Sequence, residues 1–294
     1  MPDDKKKPRK RISAYRKLRR TLSKTVLRTP HVWLRHRLLR EADVLFAGYP
    51  RSGTTWSRFT LFEILTGREA GFAAVDSAIR PINEGIGPPL LPGNGRLIGT
   101  HEHYRKEYKR AIYLVRDARD VALSEFAYTS ALEFFHGDLD QFLTTFLCGK
   151  ISAFGPWQRH IGSWLDSPLA GTPNLLVIRF EDLRRSPFAG FRRMAEFLGV
   201  KPDAQLIQRA IANNTLDKMK TKERIEPRLA PLKGEFVRSG SVQGWRSKLS
   251  PSQLQFIEQH AGSVLLRLGY PLSGDAVGEE SSVDPVLQVS TNLS

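Results

Sequence analysis

The sequence predicts an α/β fold of three layers, with a central parallel sheet flanked by helices. Two observations carry that expectation. Short apolar runs, Val44-Leu45-Phe46-Ala47, Leu97-Ile98, Ala111-Ile112-Tyr113-Leu114-Val115 and Leu175-Leu176-Val177-Ile178, alternate with longer stretches of helical period. The runs are apolar at every position rather than every second one, the pattern of strands buried on both faces under covering helices.

The elements follow in order. Residues 1–40 hold 15 of the 45 Lys and Arg and only Asp3 and Asp4, so most of the +15 net charge lies in an N-terminal arm. Its first 20 residues are too polar and self-repelling to fold alone. From Ser23 to Arg40, Val26, Leu27, Val32, Trp33, Leu34, Leu38 and Leu39 stand among basic residues. That segment suits an amphipathic helix, packed on the body or lying on an anionic membrane. The body is expected over residues 41–272. Residues 41–294 carry 30 Lys and Arg against 28 Asp and Glu, close to neutral, which argues against a broad nucleic-acid face. Helical patterns are expected at 55–66, 118–131, 139–165, 187–199, 203–213 and 251–267, several opened by Asp, Ser or Pro. Gly- and Pro-rich stretches at Arg80 to Gly95 and Ile225 to Gly244 read as binding loops or lids. Residues 273–294, acidic and rich in Ser and Gly, read as a flexible tail. The chain lacks an apolar run of about 18 residues, and MPDDKKKPRKR lacks the core of a secretory signal, so a cytoplasmic location is expected. Cys148, the single cysteine, rules out an intramolecular disulfide and makes no thiolate metal cluster, so chemistry falls to oxygen, imidazole and basic groups.

Directly after the first apolar run comes Gly48-Tyr49-Pro50-Arg51-Ser52-Gly53-Thr54-Thr55-Trp56. The strand, Gly, four residues, Gly, helix spacing is that of a P-loop, in which backbone N–H groups and a helix N-terminus wrap a phosphate. Thr54 stands where a nucleoside triphosphatase carries its Lys, and the cation sits three positions earlier, at Arg51. Such a site holds a terminal phosphate and presents one positive group to the bond beyond it, without a triphosphate clamp. Arg116 falls at the carboxyl end of the third apolar run, where open parallel sheets bind ligands. Ser124 lies eight residues on, roughly 12 Å along a helix at ~1.5 Å per residue, and meets Arg116 only if the connecting turn folds back. Arg238, Ser239 and Gly240 form a third candidate anion nest. Three separated basic sites point to a ligand with more than one phosphate group.

These ordered motifs resemble the sulfotransferases of the cytosolic and bacterial type that use 3′-phosphoadenosine 5′-phosphosulfate, across most of residues 41–250. Tyr49 to Trp56 is similar to the family's 5′-phosphosulfate loop, with Arg51 in place of the usual Lys. That resemblance implies donor contacts from Arg51, Ser52, Gly53, Thr54, Thr55 and Trp56. Val115 to Ser124 resembles the 3′-phosphate motif, with Arg116 and Ser124 at the ligand positions. Phe180-Glu181-Asp182-Leu183 is similar to a Tyr-Glu-Asp segment, although Phe180 cannot donate the Tyr hydrogen bond to adenine. Asn214 to Lys220, with Thr215, is similar to the adenine-side segment, and Phe236 to Trp245 to a closing Arg-Lys-Gly loop, with Ser239 replacing the Lys. The Lys-Thr-Val-Glu dimer motif of vertebrate members is not recognisable, so no dimer mode carries over.

The resemblance also implies His101 as general base, a position that the residues alone do not separate from His103. The expected reaction is metal-independent, in-line transfer of a sulfonate group to a hydroxyl, or less readily an amine. Arg51 would stabilise the leaving phosphate oxygen. The loops at Arg80 to Gly95 and Lys222 to Glu235 would cover a small-molecule or glycolipid acceptor. The rival readings are a P-loop kinase or ATPase, opposed by Thr54, and a non-enzymatic module that binds nucleic acid or membrane through the arm.

Overall fold

A computed structural model describes residues 33–226, 237 and 240–274. Four strands, β1 (Val44–Gly48), β2 (Leu97–Thr100), β3 (Ala111–Val115) and β4 (Leu175–Arg179), form one sheet in the order β2-β1-β3-β4. Every neighbouring pair is parallel; Val44 stands opposite Leu97, Leu45 opposite Ala111 and Ala111 opposite Leu175. Ten α-helices of six residues or more accompany it among the described residues: α1 (Thr54–Thr66), α2 (Phe72–Ala78), α3 (Ala118–Ala131), α4 (Leu139–Leu147), α5 (Trp157–Leu165), α6 (Phe180–Arg185), α7 (Pro187–Phe197), α8 (Ala204–Asn213), α9 (Leu216–Ile225) and α10 (Pro251–Arg267).

Strand alternation divides the core in two. Leu45, Ala47, Ile98, Ala111, Tyr113 and Val115 face a cluster that includes Val121 of α3, Phe142 and Phe146 of α4, Trp157 and Trp164 of α5 and Ile257 of α10. Val44, Phe46, Leu97, Ile112 and Leu114 face the opposite cluster, with Phe59 and Phe62 of α1, Val75 of α2, Phe191 of α7 and Ile207 of α8. The expected three-layer α/β fold is therefore the observed one. From β1 the chain passes to β2 on one side, then returns across β1 to β3 and on to β4 on the other. The carboxyl ends of β1 and β3 thus flank the point where successive connections leave in opposite directions, which opens a crevice at the sheet edge.

Several elements differ from expectation for local reasons. Both β2 and β4 are edge strands, but β2, bordered by residues 80–82, is buried at every residue like β1 and β3, whereas β4 alternates half-buried and buried positions. The 139–165 pattern is two helices, not one. Gly149 and Gly155 both take left-handed backbone angles, and Pro156 precedes α5, so residues 148–156 form a loop. Helix α9 carries a single buried residue, Met219, and so shows no apolar stripe to read. The stretch Arg80 to Gly95 runs along the outer edge of β2, with Ile82 N–H donating to the Gly99 carbonyl and Gly99 N–H to that of Arg80. Most of the Ile225 to Gly244 loop, including Arg238 and Ser239, lies outside the described residues, as do residues 1–32 of the arm and 275–294 of the tail.

Candidate active site

The loop after β1 turns on two left-handed residues, Arg51 at φ 69° and Gly53 at φ 91°, with a Tyr49 to Ser52 hydrogen bond of 3.2 Å closing the bend. Glycine at 53 is required twice over: a Cβ there would meet the Phe180 ring at 2.4 Å, and the backbone angle disfavours side chains. At Gly48 a Cβ would lie 2.7 Å from the Leu114 carbonyl oxygen of β3. Helix α1 begins at Thr54 with no side-chain cap and no acidic residue in its first turn. Its first N–H groups and the positive end of its dipole therefore have no side-chain cap and no acidic residue of the first turn to offset them. Beside them, the Ser52 hydroxyl is buried and has no hydrogen-bond partner among the described residues. Helix α3 is the contrast, because its cap Asp117 already accepts from the Arg119 N–H.

Two guanidinium groups meet at this loop. Arg51 Nε donates to Ser124 Oγ at 3.2 Å, and the group lies over the Tyr128 ring at 4.5 Å. Arg116 donates from one terminal nitrogen to the Arg51 carbonyl at 2.9 Å and from the other to the Ser241 carbonyl at 2.8 Å. Its Nε is buried without a hydrogen-bond partner among the described residues, and its plane lies 4.8 Å above the Phe180 ring. Ser124 thus meets Arg51, not Arg116, and Arg51 joins the two. Gly240, at φ 53°, immediately precedes the Ser241 that Arg116 holds. Trp56 packs edge-on against both Phe180 and Phe191. Thr215 is the exposed residue preceding α9, and the structure shows no contact from it to the loop among the described residues. Its neighbour Asn214 is tied to α1 through Glu63, a buried carboxylate that also accepts from Asn213, Lys222 and the Ala70 N–H.

The two candidate histidines are separated by their partners. His101, just beyond β2, donates from Nδ1 to the Gly48 carbonyl at 2.6 Å, and so leaves Nε2 as the basic nitrogen of the neutral ring. His103 donates from Nε2 to the Phe154 carbonyl at 2.7 Å, which ties it to the loop between α4 and α5. Sequence reasoning missed a third histidine. His160 of α5 is fully buried; its Nε2 donates to the His101 carbonyl at 2.9 Å, and its Nδ1 accepts from the Tyr113 hydroxyl at 2.8 Å. Burial first, and then electrostatic interaction with nearby His103, push its pKa down to about 3. His160 is therefore a neutral strut that fixes the main chain at His101 from below. A lone histidine in an amphipathic helix gave no signal, because its partner lies 59 residues away.

Glu125, next to Ser124 on α3, was also missed. It is buried, its Oε2 has no hydrogen-bond partner among the described residues, and burial raises its pKa while the Arg51 charge lowers it. The adjoining surface is tied down as well: Asp120 accepts from the Trp245 N–H at 3.0 Å, and Arg119 lies 3.9 Å above the Trp245 ring.

A glycine-bent loop, two guanidinium groups and an imidazole of fixed tautomer thus meet at the crevice of a parallel sheet, an arrangement suited to group transfer. The family described as the sulfotransferase domain matches residues 95–269, more than half of the chain, and the chain belongs to that family. It is a sulfotransferase, an enzyme that moves a sulfonate group to an acceptor. It is 26% identical over 250 residues to the Sulfotransferase 1 family member D1 of Rattus norvegicus, covering 75% of this chain and 82% of the relative. It is 24% identical over 258 residues to the luciferin sulfotransferase of Photinus pyralis, covering 72% and 68%. A retinol dehydratase solved with retinol and PAP shares the fold, with a TM-score of 0.65 at 20% identity, covering 80% of this chain and 86% of that one.

Proposed function

We propose that the donor is 3′-phosphoadenosine 5′-phosphosulfate and that the acceptor is a hydroxyl, in preference to an amine, of a small molecule or glycolipid. The observation that carries this reading is the hydrogen bond from His101 to Gly48, which tethers the base to the residue that opens the phosphate loop. The site fits the donor: an uncapped helix, a buried Ser52 hydroxyl and a partly unpartnered Arg116 are poised for phosphate oxygens. PAP, which the retinol dehydratase structure contains, is that donor without its sulfonate group.

Arg51, Ser52, Gly53, Thr54 and Thr55 would hold the phosphate next to sulfur, and Arg116 with Ser124 the 3′-phosphate. Trp56, Phe180, Thr215, Arg238, Ser239 and Gly240 are assigned to the nucleoside and its closing loop. When bound, the donor supplies the sulfonate group that the acceptor oxygen takes. His101 Nε2 receives the acceptor proton, and its tautomer is set in advance by the Gly48 carbonyl. Arg51 and the amides at the start of α1 stabilise negative charge where the leaving oxygen forms; Arg keeps its proton, so its part is electrostatic. Phe154, whose ring lies 5.6 Å from that of His101, gives the acceptor side an apolar wall. The enzyme is assigned to the cytoplasm.

Calorimetric titration with adenosine 3′,5′-bisphosphate, beside its 3′-dephospho analogue and magnesium-ATP, tests the assignment. Micromolar binding that needs the 3′-phosphate is the expected result. A preference for magnesium-ATP would remove both the donor and the role given to Arg116.

A further inference from the structure

The root of the basic arm presents an apolar surface that the donor site does not use. Residues 33–36 form one helical turn, followed by a turn at residues 37 and 38. His36 points inward, buried, with its Nε2 in a 2.6 Å hydrogen bond with the Tyr108 hydroxyl. Arg96, itself paired with buried Asp43, donates to the Leu38 carbonyl at 2.9 Å, and Leu39 packs against the core. These contacts fix which side of the segment faces out. Trp33, Leu34 and Leu38 are 47%, 58% and 53% exposed. Only four other large apolar side chains in the described residues are exposed, Phe134, Ile225, Val242 and Leu266, and none adjoins another in sequence. Three within six residues, on a backbone locked to the body, form a patch of the kind that marks an interaction surface.

The chemistry around the patch selects the partner. Arg37 and Arg40 are exposed beside it, and the Arg37 guanidinium lies 4.4 Å from the Trp33 ring centre. Residues 1–40 carry 15 Lys and Arg against two Asp, a charge that complements an anionic surface. Nucleic acid would satisfy the charge but gives Leu34 and Leu38 nothing to enter. A bilayer interface takes both, with leucines at the acyl boundary, an indole at the headgroups and basic side chains on anionic lipid.

We infer that Trp33, Leu34 and Leu38 form a docking surface for an anionic phospholipid membrane, with Arg37 and Arg40 beside them as the electrostatic half of the contact. The enzyme then works at a lipid surface, held there by a segment bonded to the residues just before β2 and β3. The docking does not depend on the identity of the donor.

Co-sedimentation of the full chain with extruded vesicles tests it, using phosphatidylcholine alone and phosphatidylcholine with about 30 mol% phosphatidylserine, an anionic surface of the kind that attracts basic segments. The expected result is binding at least about tenfold tighter to the anionic vesicles, weakened by raising the salt. The triple variant Trp33→Ser, Leu34→Ser, Leu38→Ser is expected to lose at least about tenfold of that binding while its melting temperature stays unchanged. Equal partition onto both vesicles would overturn the inference. So would wild-type binding by a folded triple variant, which would leave charge alone as the cause, or displacement from the vesicles by duplex DNA at equal phosphate concentration.

Discussion

The histidine behind the site offers the sharpest test of how the geometry works. In His160→Phe the ring volume is nearly kept, but the His101 carbonyl and the Tyr113 hydroxyl both lose their partner inside the core. A buried polar group left unpaired costs roughly 1–3 kcal/mol. Two of them set the expected loss at about 3 kcal/mol, a fall in melting temperature of roughly 6–12 °C for a domain of this size. The same loss releases the main chain that carries the base, so kcat should fall at least about tenfold, the equivalent of ~1.4 kcal/mol in the barrier. Affinity for adenosine 3′,5′-bisphosphate should hold, because His160 meets the phosphate loop only through the edge of the Tyr49 ring, a packing contact that Phe can keep. His160→Gln keeps an N–H donor and should recover most of the rate. It also removes a titration. The folded protein holds this imidazole at about 3, well below its ordinary value of 6.5, so the unfolded chain binds a proton below pH 6.5 that the fold excludes. Wild-type stability is therefore lost as pH falls from 6.5, by about 1.4 kcal/mol per unit and ~2 kcal/mol by pH 5. The Gln variant should lack that slope; the buried carboxyls of Asp120, Glu125 and Glu181, raised by burial, act in the opposite direction and are common to both proteins. Thermal melts from about pH 7.5 to about pH 5, a window that brackets the ordinary imidazole titration, and steady-state rates measure both effects. An unchanged kcat in His160→Phe, or the same acid slope in His160→Gln, would refute the strut.

Other outcomes follow from the same site. His101→Ala should lower kcat by roughly 100- to 10,000-fold while nucleotide affinity stays within about twofold. Arg51→Ala should cost roughly 100- to 1000-fold in kcat and Arg51→Lys much less; equal rates for both would remove the charge from the mechanism. Glu125→Gln, by removing a buried negative charge near Arg51, should tighten nucleotide binding several-fold in calorimetry. Arg119→Met strands Asp117 and Glu258 and uncovers Trp245. At about 3–5 kcal/mol for breaking a buried ion pair, it should lower the melting temperature by roughly 6–20 °C.

Much of this was legible in the sequence, and the remainder has identifiable physical causes. The strands could be read because parallel pairing buries both faces, and the loop because only glycine tolerates the backbone at residue 53 and the closeness of Phe180. The split of 139–165 hid behind apolar spacing that continues on both sides of Gly149 and Pro156. The residues by themselves do not separate His101 from His103, and only the family resemblance favoured His101. Two residues apart, they differ in the ring nitrogen that donates and in the carbonyl it binds, and both carbonyls come from distant parts of the chain. Glu125 carries no signal in the sequence, because its burial depends on the packing of distant segments, with the β1 loop meeting α3 at the neighbouring Ser124.

The contact between Gly53 and Phe180 bears on how this site can change over generations. A substitution at either residue is judged by the other: a side chain enters at 53 only if the ring at 180 shrinks, and that ring also underlies Arg116 and braces Trp56. The two positions, 127 residues apart in the chain, should vary together or not at all across natural relatives. A saturation library at 53 should retain glycine almost alone, and randomising 180 with it removes only the clash, because the left-handed backbone at 53 remains.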